Sequence, residues 1–213
     1  MLKQSSIISI FTEWGVYKSP EALNREEKSK LLEKLNQSVQ KCTGCILSQH
    51  RGSRDKLCLY IGNPNAKVLL LGKAPGYYEV KSGTLFKGRA GKELAWLLEK
   101  SKISDDEVYV TNICHCRAIK DGSLKTKEIK SCKKWLRAQL QVLQPKIVMM
   151  MGSPAIYTMT GVKQTLNEVR GRVIEKDGIK LIATFHPAFY TRSTIEVEDR
   201  NHEEGLKDWK LLR

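Results

Sequence analysis

Cysteines at metal-ligand spacing are the first residues of this sequence that could do chemistry. Cys42 and Cys45 form a Cys-x-x-Cys pair, Cys116 follows a predicted strand, and Cys132 comes 16 positions later. Four thiolates can bind either a tetrahedral zinc ion or a cubane iron–sulfur cluster. Zinc ribbons usually supply two close cysteine pairs, whereas the second pair here is widely split. Spacing alone therefore leaves both metals open.

The N-terminus predicts a cytoplasmic protein, and this compartment decides the expected state of the cysteines. The apolar patch at residues 7–11 soon meets Glu13, which makes it a poor signal peptide. Cytoplasmic thiols stay reduced, so a disulfide framework is not expected. The two cysteines outside the metal set, Cys58 and Cys114, are interpreted as small buried hydrophobes.

Composition favours one folded domain with a polyanionic partner. The 213 residues are 41% hydrophobic and 28% charged, which argues against disorder. No apolar run reaches the roughly 18–20 residues that cross a bilayer. The formal net charge of +14 is typical of a nucleic-acid-binding chain. An acidic membrane surface is the next candidate partner, but no basic amphipathic helix stands out.

Apolar periodicity predicts strands that alternate with helices. Helices are expected at 20–41, where Ser19 is the candidate cap, and at 91–101, 126–143 and about 203–212. Such alternation predicts a parallel sheet with helices on both faces. Buried strands are expected at Val68–Leu71, Val108–Thr111, Ile147–Met151 and Leu181–Phe185.

Polar or glycine-bearing residues follow three of these strands. A turn at Gly72–Gly76 follows the first strand, Asn112 follows the second, and His186 follows the fourth. Open parallel sheets bind ligands beyond the carboxyl ends of their strands. The sequence therefore predicts a functional site at this edge of the sheet.

Several separate blocks, in register over most of the chain, resemble the iron–sulfur uracil-DNA glycosylases, often called family 4. A set of such blocks is far more specific than a single motif. The matching blocks are 42–45, 62–72, 74–76, Glu79, Phe86, 88–91, 111–113, 116–117, Cys132, 186–188 and Arg192.

This resemblance implies a fold, a cofactor and a partner. The fold is a three-layer αβα sandwich with a central four-stranded parallel sheet, formed by residues 37–213 after a helical extension at residues 1–36. The partner is DNA that contains uracil or a modified base, and the protein is expected to act as a monomer away from membranes. A structural [4Fe-4S] cluster is expected on Cys42, Cys45, Cys116 and Cys132.

The resemblance also assigns roles in base excision. The enzyme flips a uracil or modified pyrimidine out of DNA and hydrolyses its N-glycosidic bond, leaving an abasic site. Phe86 matches the stacking aromatic, with core packing as the plainer interpretation. Asn112 matches the residue that pairs with the edge of the pyrimidine, with a turn or cap as its alternative. His186 matches the residue that stabilises the departing base.

Two further sets of residues follow from the same blocks. The loop after His186 resembles the one that enters the minor groove, where Phe189 or Tyr190 is the candidate wedge. The base pocket is expected to contain Gly72, Ala74, Pro75, Gly76, Tyr77, Glu79, Phe86 and Asn112. DNA contacts are expected from Gly88, Arg89, Ser153, Pro187, Ala188, Phe189, Tyr190 and Arg192.

One catalytic position departs from the family pattern. Lys73 stands where the first motif normally has a glutamate, and Val80 replaces an aspartate after Glu79. Because lysine reverses the local charge, three interpretations stay open. In the first, Lys73 adapts the enzyme to an unusual base, such as a base modified in phage DNA. Antiviral defence is then one role that the enzyme could have. Alternatively, Lys73 is a Schiff-base nucleophile that adds lyase activity, or the protein binds DNA without cutting it.

Overall fold

A six-stranded mixed sheet forms the centre of the computed structural model, which describes residues 23–119, 122–192 and 195–213. The strand order is β1-β3-β2-β4-β6-β5. Strands β3, β2, β4 and β6 are parallel, and β1 and β5 pair antiparallel at the two edges. The strands are β1 (Tyr60–Gly62), β2 (Val68–Gly72), β3 (Val108–Asn112), β4 (Ile147–Met151), β5 (Val173–Lys176) and β6 (Ile179–Thr184).

The predicted four-stranded parallel sheet is confirmed, and the two edge strands are additions to it. β1 has only three residues, and β5 is largely exposed, with Val173 45% accessible. Neither segment forms the continuous apolar run that identifies a buried strand. The fourth predicted strand begins earlier than expected, at Ile179, because the tight turn at Asp177 and Gly178 connects it to β5.

Helices cover both faces of the sheet. Within the described residues they are α1 (Arg25–Gln40), α2 (Ile46–Gln49), α3 (Tyr77–Ser82), α4 (Arg89–Lys100), α5 (Thr126–Leu143), α6 (Ser153–Thr160), α7 (Leu166–Val169) and α8 (Ile195–Trp209). Short 3-10 turns occupy Asp105–Glu107, Pro187–Arg192 and Lys210–Leu212. None of the helices in the described ranges is long and apolar enough to cross a membrane.

The first helix begins later than the sequence predicts. Asn24 caps it through a reciprocal pair of hydrogen bonds, in which Glu27 N donates to Asn24 Oδ1 and Asn24 N donates to Glu27 Oε2, both at 3.0 Å. The predicted cap, Ser19, lies outside the described residues. Helix α1 runs through residue 36 and buries Leu32 and Leu35. The division into 1–36 and 37–213 remains a prediction.

Alternate residues of the strands fill two separate cores. Leu69 and Leu71 point into the core beneath α1 and α5. Val68 and Leu70 point into the opposite core, which contains residues of α4 and Trp209 of α8. All five residues of β2 and of β3 are buried. A sheet covered on both sides can expose functional groups only at its edges and strand ends.

Candidate active site

The carboxyl ends of the parallel strands bring the polar motifs to one edge of the sheet. Gly72 at the end of β2 pairs directly with Asn112 at the end of β3. Met151 at the end of β4 pairs with Thr184 at the end of β6. His186 follows Thr184 by two residues, so the structure places all three predicted motifs on the same side.

Gly72 is required by the way Asn112 lies across the end of β2. A Cβ atom on Gly72 would collide with Asn112 Oδ1 and lie 3.4 Å from Phe86 Cζ. Asn112 is 2% exposed. A buried side-chain amide costs free energy unless its polar atoms are hydrogen-bonded. The Asn112 amide lies at the end of β2, in the space that a side chain at position 72 would fill.

Phe86 lies close to both Gly72 and His186. Its ring centroid is 6.0 Å from that of His186, with the planes 22° apart. Its backbone adopts φ 53°, which is unusual for an aromatic residue. A Cβ atom on Gly91 would collide with the Phe86 carbonyl oxygen. This crowded arrangement holds the ring in one orientation beside the opening.

Glu79 fixes the turn that carries Phe86. Its carboxylate accepts hydrogen bonds from the backbone N–H of Gly76 through Oε2 and of Phe86 through Oε1. Hydrogen bonds to a charged acceptor are among the stronger ones in proteins. The family resemblance predicts Glu79 in the base pocket. These contacts show that it positions the backbone of the turn that carries Phe86, and it thus acts as a brace for that turn.

If the site releases a base from DNA, as the family resemblance implies, replacing Glu79 by alanine is expected to slow that release by roughly 10- to 100-fold, because a misplacement of about 1 Å at a reacting centre can cost a factor of about 100. Single-turnover release of base from DNA measures this effect. The matched control is Glu99→Ala, an exposed glutamate of α4. Equal rates for both variants would show that the brace does not control the pocket.

His186 is held in a defined tautomer. The backbone N–H of Ala188 donates to His186 Nδ1 at 3.1 Å, and Phe189 N donates to the His186 carbonyl at 2.8 Å. Because an N–H group can only donate, Nδ1 is an acceptor, and the proton of the neutral ring lies on Nε2. His186 therefore carries an N–H donor of the kind that a departing anionic base requires.

The loop after His186 is anchored by aromatic stacking. Tyr190 is fully buried and its ring lies 4.6 Å from that of His202 on α8. Phe185 stacks on Phe189 at 4.4 Å. Tyr190 does not fit the predicted role of a wedge, because its ring packs in the core. Phe189, which is 39% exposed, keeps that role as a prediction.

The other predicted DNA contacts lie around this loop. Gly88 precedes α4 and Ser153 is the first residue of α6, so both are at helix N-termini, where backbone N–H groups favour anions. Arg89 is exposed, whereas Pro187 is buried and Ala188 is half-buried. The side chain of Arg192 lies outside the described residues, and its phosphate contact stays a prediction.

Lys73 is half-buried in the turn after β2, together with Ala74 and the buried Pro75. Its carbonyl accepts a hydrogen bond from Cys114 N at 3.1 Å. Its Nζ lies 3.5 Å from the position that a Cβ atom would occupy on Gly122. The ammonium group is thus close to the loop that connects β3 to α5.

The four predicted metal ligands line one cavity. Cys42 follows α1, Cys45 caps α2, Cys116 follows β3 and Cys132 lies on α5. Segments distant in sequence are tied together here, since Ser131 Oγ donates to the Gly44 carbonyl at 2.7 Å. Within the described ranges, no group of three or more His, Cys, Asp or Glu side chains is arranged around a single metal ion.

The chemistry of this cavity suits a cationic cofactor. Burial and the charges of the neighbouring cysteines raise the pKa of Cys116 to about 12. A thiolate at that position is stabilised by positive charge, of which Arg51 supplies a part. Cys114 is buried, as expected, but its thiol also hydrogen-bonds with Cys132. Cys58 lies apart, and its thiol donates to the Tyr60 carbonyl at 3.0 Å.

Comparison with known proteins decides the family. A family model described as the uracil DNA glycosylase superfamily matches residues 59–212. The chain belongs to this superfamily. It is 32% identical over 168 residues to a type-4 uracil-DNA glycosylase of Thermotoga maritima, covering 78% of this chain and 86% of that protein.

Two further relatives of this superfamily member are informative. A type-4 uracil-DNA glycosylase of Sulfurisphaera tokodaii is 31% identical over 167 residues, which is 74% of each chain. The DNA polymerase of Bacillus phage SP01 is 27% identical over 153 residues, which cover 71% of this chain and 16% of the polymerase. This superfamily member thus resembles both proteins of similar length and one part of a much larger protein.

Proposed function

We propose that this protein is a DNA glycosylase that removes uracil or a modified pyrimidine from DNA and leaves an abasic site. One observation carries the proposal: Asn112, Phe86 and His186 come together at the carboxyl edge of the sheet, around a glycine whose missing side chain makes room for the Asn112 amide. The names of the type-4 relatives support the same activity. The net charge of +14 suits a DNA substrate.

Each of these residues has a distinct role in the proposed reaction. The target nucleotide leaves the base stack and its base lies against the ring of Phe86. The amide of Asn112 pairs with a carbonyl and an N–H on the edge of the pyrimidine. As the N-glycosidic bond breaks, negative charge develops on the base and positive charge on the sugar, and water then adds to the sugar carbon to give the abasic site. The Nε2–H of His186 donates to the base oxygen that carries the negative charge.

The proposed [4Fe-4S] cluster is held by Cys42, Cys45, Cys116 and Cys132. When bound, the cluster supplies cross-linking between loops and takes no part in base removal. Its thiolates join the end of α1, the start of α2, the loop after β3 and helix α5. The loop after β3 is also the one that follows Asn112. Metal binding therefore fixes the chain on one side of the base pocket.

Lys73 distinguishes this protein from the family pattern. The family pattern has a carboxylate at this position, whereas this protein has an ammonium group. That ammonium group lies near Gly122. We propose that Lys73 adapts the pocket to an altered base. A Schiff-base role, with lyase activity, and a protein that binds DNA without cutting are the alternatives. The observation that favours the third is the reversed charge at position 73, where the family pattern has a glutamate.

Product analysis on uracil-containing DNA tests the proposal and its alternatives. We expect free base and intact strands that break only after alkali treatment, because a monofunctional glycosylase leaves an abasic site. Strand breaks without alkali, together with borohydride trapping that disappears in Lys73→Ala, would establish the lyase alternative. DNA binding with neither base release nor strand breaks on any substrate would establish the third.

A further inference from the structure

Two tyrosines lie exposed beside the candidate base pocket. Tyr77 is 52% and Tyr78 is 72% accessible, although both begin α3 directly after the glycine turn. Their rings meet edge to face at 5.4 Å. Arg117 and Lys81 lie over the Tyr77 ring at 5.4 Å and 5.6 Å. Exposed aromatic rings flanked by cations are typical of surfaces on which unpaired bases stack.

A polar cavity of about 160 Å³ adjoins these tyrosines. Its walls include His50, Arg51 and Arg117, with Asp55 as the acidic side chain among its lining residues. Arg51 Nη1 is buried there and has no hydrogen-bond partner among the described residues. Buried donors in native proteins almost always find an acceptor. The cavity therefore fits an anionic oxygen, such as that of a phosphate group.

The carboxylate of Asp55 is neutralised by its own partners. Lys81 Nζ lies 2.7 Å from Asp55 Oδ1, and the backbone N–H of Gly52 donates to Oδ2 at 3.0 Å. Arg117 also faces Asp55, and Arg51 faces the Cys116 thiol, but neither arginine hydrogen-bonds the Asp55 carboxylate.

The aromatic surface of Tyr77 and Tyr78 adjoins the cavity that contains His50, Arg51 and Arg117. We call these five residues together the track. Arg117 lies over Tyr77 and also lines the cavity, and Lys81 joins Tyr77 to Asp55. Helix α3 carries both tyrosines and also Glu79, which braces Phe86. Helix α3 therefore connects this track to the turn that carries Phe86.

We infer that this track binds unpaired DNA next to the target nucleotide. Tyr77 and Tyr78 stack a neighbouring base, while Arg51, Arg117 and His50 bind a backbone phosphate. In a duplex the neighbouring bases stay stacked on one another, so the tyrosine surface has no base to receive. The enzyme accordingly prefers single-stranded or frayed DNA. This inference rests on the proposed function, because it assigns a substrate form to the same site.

Fluorescence anisotropy with a labelled, uracil-free thymidine oligomer tests the track without requiring catalysis. Tyr78→Ala is expected to weaken single-strand binding about tenfold, in line with the loss of one stacked base. Tyr78→Phe keeps the ring and should bind like the wild type. Binding to a blunt duplex should change less than twofold in every variant.

The salt dependence of single-strand DNA binding tests the role of Arg51 and Arg117. Arg51→Gln and Arg117→Gln should each reduce the slope of log K against log salt concentration by about 0.7, the value for one phosphate contact on a single strand. Arg137→Gln, on the exposed face of α5 beside a separate cavity, is the control and should leave the slope unchanged. Using two arginine variants guards against one that fails to fold.

Unchanged single-strand binding in Tyr78→Ala, or an equal loss on duplex, would overturn this inference. So would a slope for Arg137→Gln that falls as much as those of the two track variants. Base release by the wild type is measured separately on uracil-containing DNA. The wild type could release no base while Tyr78→Ala still weakens single-strand binding and the arginine variants still reduce the salt slope. In that case the proposed function is wrong, and the track is still a binding site for single-stranded DNA.

Discussion

Replacing His186 by alanine is expected to slow base release by about 100- to 1,000-fold while DNA binding changes little. Removing a single hydrogen-bond donor that faces a developing oxyanion has an effect of this size in other enzymes. In this protein the donor is preset, since Ala188 N donates to Nδ1 and leaves the proton on Nε2. Single-turnover rates of base release and equilibrium binding of the same DNA measure the two quantities.

His186→Ala must also be shown to fold. The loop after it is held by Tyr190 and Phe189, whose aromatic contacts do not depend on the imidazole ring. The melting temperature should therefore stay within a few degrees of the wild type. Equal losses of binding and of rate would mean that His186 supports the loop rather than the reaction.

Replacing Cys116 by serine is expected to remove the cluster and destabilise the fold. Cys116 lines a cavity with the three other proposed ligands, and the four come from three segments of the chain. Loss of a metal centre is among the few changes that cost about 4 kcal/mol or more. For a chain of this size, that corresponds to a drop of roughly 8–16 °C in Tm.

Colour and metal content provide the readout for this variant. Wild-type protein should be brown, with broad absorption at about 400 nm, and Cys116→Ser should be colourless. Cys58→Ser is the control, because Cys58 bonds to the Tyr60 carbonyl and lies outside the cysteine cavity. A colourless wild type that contains zinc would contradict the iron–sulfur assignment.

Much of the fold was predictable because its central elements have strong local patterns. Helix α5 and strand β4 have the predicted bounds, since apolar periodicity and a flanking proline define them. Strands β1 and β5 are stabilised by pairing with β3 and β6 rather than by their own apolar runs. Such edge strands depend on tertiary partners that a linear pattern does not reveal.

The site was predictable where a residue ends a strand and much less so elsewhere. Asn112 and His186 lie where the strand pattern and the family resemblance placed them. Tyr190 was expected at the DNA surface, but its burial depends on α8, which follows it in the chain. Arg51 gave no sequence signal at all, because its cavity is formed by segments more than 60 residues apart.

The most direct test of the central claim is a mass-spectrometric search for free base released from DNA. The substrates are uracil-containing, deaminated, oxidised and phage-modified DNA, incubated with the wild type and with His186→Ala. Our account predicts that the wild type releases one pyrimidine base, at a rate that the variant reduces at least 100-fold. Failure of the wild type to release base from every substrate, while it still binds them, would contradict the account.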